Sequence, residues 1–305
     1  MREFRNEMGW LEPSTTVEAD GQWALYDQWV WERVEAARTD LATEGLEGGL
    51  AEALAEQVIE SHLGRDWYDR HITGAASSEL TKAYLLAGYD APIVRVLAAH
   101  RTHELGRRLY EMQSFDWFED LVADLRTRNL TGASFELDVL WLLLAASPRV
   151  VVRRRQGRKG EDFDLTAVVM GMPAEGVPVE VKAKADTTQY TDAGAARTAK
   201  KAAQQLPRGK KGLLFVRVPT GWVSPRLEES YADALAEGTR QTSRIGAVVS
   251  IIDKPHLTAG RRGRVTRHLH LFAHPDCPRP LFDFVRALKD FHEQGLTGMA
   301  PTAPF

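Results

Sequence analysis

An α/β fold with a mixed sheet, preceded by a mainly α-helical domain, is the fold class this 305-residue sequence predicts. Three observations lead there. From residue 130 onward, helical and strand-like patterns interleave, which fits an α/β class better than an all-β barrel. Before that point the apolar residues recur at helical intervals. Charge divides at the same place: residues 1–129 hold 13 Lys+Arg and 24 Asp+Glu, and residues 130–305 hold 26 and 18. The net charge of −3 therefore conceals an acidic half (−11) and a basic half (+8). A basic half can attract phosphate, and the average over the chain hides it. The reading is an acidic helical accessory domain over 1–129, an α/β domain over 130–294, and a loose Gly- and Pro-containing tail over 295–305.

Residues 20–42, with Trp23, Leu25, Trp29 and Trp31, read as a helix, as do residues 46–63 and 79–86. Pro92 suits the first turn of a helix that runs to Met112, and residues 115–128 form another. Trp23, Trp29, Trp31, Trp67 and Trp117 read as helix-packing aromatics rather than base-stacking platforms, because the surrounding charge is acidic. A faint helix-turn-helix outline surrounds Ala87-Gly88-Tyr89, with DNA reading there the weaker alternative. His100 and His103 stand three residues apart with no carboxylate motif to complete a zinc site. They read as structural or solvated histidines. The acidic half is expected to serve contact with a protein partner, homodimerisation or control of a site elsewhere.

The basic half opens with an apolar helix over 132–146 that carries Glu136. Strand patterns follow over 149–155, from Thr166 to Met170, and over 177–184, with a turn at 171–176 between the last two. A helix from about residue 193 ends at Gln204-Gln205-Leu206-Pro207. Further strands are expected over 211–218 and 245–252, and helices over 226–243 and 281–291. His268, Leu269, His270 and Leu271 alternate as a strand, with the histidines facing solvent.

The strand over 177–184 carries the chemistry. Side chains alternate across a strand, so Glu180 and Lys182 share one face while Val179, Val181 and Ala183 share the other. An acid and a lysine in an apolar sheet cost free energy unless they pair or bind a metal. Asp164, at the start of the neighbouring strand, can bring its carboxylate beside Glu180. Two carboxylates so close repel one another, and a hard divalent cation such as Mg²⁺ or Mn²⁺ relieves that repulsion. The lysine would then orient or help deprotonate a water, and the ion would stabilise charge developing on a phosphate. That is the chemistry of phosphodiester hydrolysis.

The constellation Glu136, Asp164, Glu180-Val181-Lys182 resembles the PD-(D/E)xK, or restriction-endonuclease-like, nucleases over roughly residues 130–255. The resemblance implies that Asp164, Glu180 and the Val181 carbonyl bind Mg²⁺ or Mn²⁺, and that Lys182 positions the attacking water. It also implies that Glu136 assists the metal or its waters, and that a glutamine of the following helix, Gln205 or Gln204, orients a strand or ligand. The leading dipeptide departs from the family pattern: Phe163-Asp164 stands in place of Pro-Asp, with Glu161-Asp162 just upstream. Asp162 and Asp164 are both candidate ligands, and Asp164 is preferred because it begins the apolar strand. The expected substrate is nucleic acid, DNA in preference to RNA, in a setting such as restriction, phage defence or repair. The rival account is a catalytically silent binding or scaffolding protein that uses the same fold on nucleic acid or a protein partner.

Arg153, Arg154, Arg155, Arg158 and Lys159 lie just before the acidic site and could hold backbone phosphates without sequence choice; a solvated hairpin is the competing account. Arg261, Arg262, Arg264 and Arg267 form a second basic stretch, a β-turn tip or a second phosphate contact, with the solvated reading favoured. The single cysteine, Cys277, excludes an internal disulfide and a thiolate zinc site. The opening residues have no apolar core for a signal peptide, and the longest apolar run, 139–146, is far too short to span a bilayer. The expectation is a cytoplasmic protein without a membrane partner.

Overall fold

The computed structural model describes residues 50–73, 85, 92–147, 149–152, 163–184, 188–240, 242–257 and 263–295. The chain divides into two compact units, Met1–Leu130 with Pro255–Val265, and Thr131–Lys254 with Thr266–Phe305.

The first unit contains α1 (Leu50–Leu63), a short α2 (Arg65–Tyr68) that runs into a π-helical turn (Asp69–Thr73), α3 (Pro92–Met112) and α4 (Phe118–Thr127). Leu54, Ala55, Val58 and Ile59 are fully buried along one stripe of α1, the pattern of an amphipathic core helix. Helix α3 approaches that stripe closely. A Cβ on Gly106 would stand 2.6 Å from the Cα of Ala55, so the contact requires glycine. Trp67 packs in the core and donates its indole N–H to the carbonyl of Leu125 at 3.3 Å, the helix-packing role expected for it. Arg107 and Glu111 pair at 2.9 Å along α3, and Arg108 pairs with Glu104. These i,i+4 pairs let a helix with many charges lie largely buried. Trp23, Trp29, Trp31, the helix expected over 20–42 and the helix-turn-helix outline lie outside the described residues.

The second unit is built on a six-stranded sheet whose spatial order, β1-β2-β3-β4-β5-β6, follows the chain. Helix α5 (Leu130–Ala146) precedes it and is buried on nearly every side, as its near-continuous apolar sequence requires. Strands β1 (Val150–Val152), β2 (Leu165–Ala167) and β3 (Val177–Ala183) form an antiparallel meander. Strands β4 (Gly212–Val218) and β5 (Ile245–Leu257) continue it in parallel, and β6 (Gly263–Ala273) lies at the edge. Helix α6 (Asp192–Gln205) joins β3 to β4, α7 (Pro225–Thr239) joins β4 to β5, and α8 (Arg279–Gly295) ends the described chain. Parallel neighbours need such crossover helices. The result is a mixed-sheet α/β unit, as the interleaved patterns predict.

Local chemistry sets the helix starts. Thr191 Oγ1 accepts a hydrogen bond from the amide of Gly194 at 3.0 Å, and Ser224 Oγ accepts from Leu227 at 3.4 Å with Pro225 in the first turn. Helices α6 and α7 meet through small residues: a Cβ on Gly238 would stand 2.4 Å from the carbonyl oxygen of Ala196. Leu214, Val216 and Val218 of β4 pack beneath these two helices with Trp222, Tyr231, Val248 and Ile252.

Arg217, between Val216 and Val218, points to the opposite face and joins a buried ion network there. Its Nη2 lies 3.4 Å from Asp253 Oδ2 on β5. Arg267 of β6 donates to Asp253 Oδ1 at 2.7 Å and to Asp138 Oδ2 of α5 at 3.3 Å. Burial draws Arg217 down to about 10 against the opposing pull of Asp253. The network ties α5 to that face of the sheet. It also corrects the sequence reading of Arg267, which is buried and ion-paired rather than part of a solvated basic turn.

Several strand limits differ from the sequence expectation. β2 ends at Ala167 rather than Met170, because the Val168 amide turns to the Arg149 carbonyl at 2.9 Å and its own carbonyl accepts from Ser147 Oγ at 2.8 Å. Met170 is exposed in the following turn. β5 runs five residues past Ile252 to Leu257. His268 and His270 face outward on β6 while Leu269 is buried, as the alternation predicts.

Candidate active site

Glu180 and Lys182 stand beside Leu214 and Val216 in the parallel register of β3 and β4. They therefore lie on the face covered by α6 and α7. Glu180 is fully buried, and Lys182, about a quarter exposed, donates its ammonium to Glu180 Oε1. A buried acid–lysine pair is no more stabilising than the apolar residues that could replace it. Its presence in a strand of valines and alanines therefore calls for a reason other than stability.

Asp164 is held against the same strand by a local break in the ladder. Leu165 stands opposite Val179, so an unbroken antiparallel pairing would set Asp164 opposite Glu180. Instead the Asp164 amide donates to the carbonyl of Val179 at 3.1 Å, and Asp164 Oδ2 accepts from the Val181 amide at 2.9 Å. The two bonds bracket Glu180. Phe163, the residue before, anchors the segment by packing into the core under α6 and α7. A strand residue turns its N–H and C=O toward the same neighbour. The Val181 carbonyl thus opens on the Asp164 side of β3, as its amide does.

Carboxylates and backbone carbonyls are the hard oxygen donors that Mg²⁺ and Mn²⁺ take, commonly one or two carboxylates with several waters kept. Asp164 and Glu180 meet that requirement in donor type and burial. A fuller set is not assembled: among the described residues no group of three His, Cys, Asp or Glu side chains could hold a metal ion. Glu136 is buried on α5. It lies two residues, about 200° around the helix, from Asp138, which faces Arg267. The structure does not bring Glu136 into a three-carboxylate cluster with Asp164 and Glu180.

Gln205 ends α6. A Cβ on Gly212 would stand 2.7 Å from the Pro178 carbonyl and 3.0 Å from Leu206, so the end of α6 sits at the entry of β3. Helix α6 then runs back along the strand. Arg197 and Lys201 stand one turn apart and exposed on this helix. Gln204 and Gln205 are the last residues of that helix, just before Leu206. The resemblance implies a glutamine in this helix and carries no signal for Arg197 or Lys201. Asp162, Arg153, Arg154, Arg155, Arg158 and Lys159 lie outside the described residues.

A cleft of about 410 Å³ opens at the other end of the same face, lined by Val151, Phe163, Thr166, Pro178, Pro207 and Lys210 among others. Neither acid of the pair lines it. Among the described residues no helix is long and apolar enough to cross a membrane.

Fold and site together define an α/β protein with a mixed six-stranded sheet and a buried acid–lysine cluster where β2 leaves β3. No protein-family model, curated protein or solved structure matches the chain.

Proposed function

We propose that the chain is a metal-dependent nuclease that hydrolyses phosphodiester bonds, with DNA the preferred substrate, and that the site at the β2–β3 junction does the work. The observation that carries the reading is the bracketing of buried Glu180 by the two hydrogen bonds of Asp164, with Lys182 on the Glu180 carboxylate. The resemblance of Asp164 and Glu180-Val181-Lys182 to the PD-(D/E)xK nucleases supports it. In this reading Asp164, Glu180 and the Val181 carbonyl would hold Mg²⁺ or Mn²⁺, which supplies charge stabilisation at the phosphate when bound. Lys182 Nζ donates a hydrogen bond to the attacking water and orients it for in-line displacement, while Glu180 keeps the ammonium in place. Restriction, phage defence and repair are settings in which such an activity serves.

The test is incubation of the protein with supercoiled plasmid, linear duplex, single-stranded DNA and RNA in Mg²⁺, Mn²⁺ or EDTA, beside Glu180→Ala and Lys182→Ala. Metal-dependent cleavage absent from both variants supports the proposal and identifies the substrate. Nucleic-acid binding with no cleavage in any metal favours the silent binding protein instead.

A further inference from the structure

Lys184 follows Lys182 by two residues, so alternation places it on the α6/α7 face, and its contact with Trp222 agrees. Its Nζ stands 5.4 Å from the centroid of the Trp222 ring. Trp222 is fully buried and wedged edge-on between Tyr190 and Tyr231, at 5.3 and 6.3 Å between ring centroids. The lysine head is thereby fixed over a rigid aromatic support rather than free in solvent. Arg197 and Lys201 are exposed, one helical turn apart on α6, the helix that follows β3. Both bear on Lys184: after burial, the positive charges of Lys201 and Arg197 are what draw its ammonium below the usual lysine range.

None of these three cations has a carboxylate partner among the described residues. The nearby acid of α6, Asp192, is engaged by Arg226 at 2.9 Å and Ser230 at 2.7 Å. Three like charges brought together without a counter-charge raise one another's free energy. Binding an anion reverses that cost. Lys184 follows Lys182 by two residues, just past the end of β3 at Ala183 and at most ~7 Å along the chain, so an anion held by Lys184 would be a near neighbour of a group held by Lys182.

We infer that Lys184, Arg197 and Lys201 form a subsite for a backbone phosphate of a nucleic-acid strand, adjoining the phosphate that Lys182 faces. The inference rests on the proposed function for the identity of the strand, and it adds the residues that grip it beside the site. These contacts give affinity and register without reading bases.

Binding of a fluorescein-labelled DNA duplex, followed by anisotropy in EDTA across a salt series, tests the subsite without any catalytic step. Wild type is compared with Lys184→Gln, Arg197→Gln, Lys201→Gln and the triple variant. Arg240→Gln serves as the control, since Arg240 is an exposed cation paired with Glu237 at the end of α7. Each subsite variant is expected to lower the slope of log K against log salt by up to about 1, and the triple variant by about 2 to 3, with the control unchanged. Far-UV circular dichroism of each variant guards against misfolding, and Arg197 and Lys201 are surface positions whose loss leaves the core intact. Equal slopes for wild type and triple variant overturn the subsite, even where wild type cleaves DNA and the proposed function stands. A reduced slope in the triple variant upholds the subsite even where no metal supports cleavage and the catalytic reading falls. Failure of wild type to bind the duplex at all overturns the subsite.

Discussion

Replacing Arg267 by methionine removes the guanidinium shared by Asp253 and Asp138 in the buried network. The four groups, Asp138, Arg217, Asp253 and Arg267, are between 2% and 6% exposed and carry two charges of each sign. Without Arg267 the cluster holds two acids and one arginine, a net negative charge in a nearly dry environment. Breaking a buried pair from one side costs about 3–5 kcal/mol, against a total stability on the order of 5–15 kcal/mol for a typical domain. Urea unfolding followed by circular dichroism should show the midpoint fall accordingly. Hydrogen exchange should locate the loss in β5, β6 and α5. The double variant Asp138→Leu/Arg267→Met restores neutrality and is expected to recover much of the loss, giving a coupling energy of about 0.5–3 kcal/mol. An Arg267→Met protein within about 0.5 kcal/mol of wild type would refute the account of how α5 is fixed to the sheet.

Three further outcomes follow from named contacts. Gly238→Ala should destabilise the second unit by about 1–3 kcal/mol, because the new methyl meets the Ala196 backbone; Gly132→Ala, with open space around it, should be neutral or mildly stabilising. Thermal melts of the two variants separate these cases, and equal melting points would count against the close packing of α6 on α7. Burial chiefly holds His62 down to about 4, so the folded first unit leaves it neutral where the unfolded chain, near 6.5, takes up a proton. Its contribution is therefore complete above about pH 6.5 and declines as pH falls toward 4, by up to roughly 3 kcal/mol. A pH series of melts for wild type and His62→Gln reads this directly, and identical slopes would discard it. Gly176→Ala, at φ +84° and with a Cβ that would stand 2.5 Å from Thr166, should loosen the β2–β3 turn and lower the melting temperature.

Much of the fold was legible because its signals are local. Pro92 suits a first turn, the apolar residues of 46–63 recur at helical intervals, and strict alternation put Glu180 and Lys182 on one face. What escaped the sequence depends on distant partners. Arg267 sits in a run of arginines that looks solvated, yet one of its acids, Asp138, lies 129 residues away in the chain. β2 looked longer because Val168 and Val169 continue its apolar pattern, whereas Val168 bonds to Ser147 and Arg149 before β1 and the Val169 carbonyl accepts from the Met172 amide in the turn. Gln205 drew notice as a residue type, but the level at which α6 passes β3 is set by the packing of Leu206 near Gly212. That packing holds the glutamine end of α6 at the entry of β3.

The central claim is that Lys182 works with Asp164 and Glu180 on a phosphodiester. The most direct measurement is the single-turnover cleavage rate of DNA in Mg²⁺ by wild type and by Lys182→Ala, with substrate binding measured on the same samples. The expected result is metal-dependent cleavage by wild type and a fall of at least about 10²-fold in the variant, with binding little changed. Equal rates in the two proteins, or no cleavage by wild type in any metal, would contradict the account.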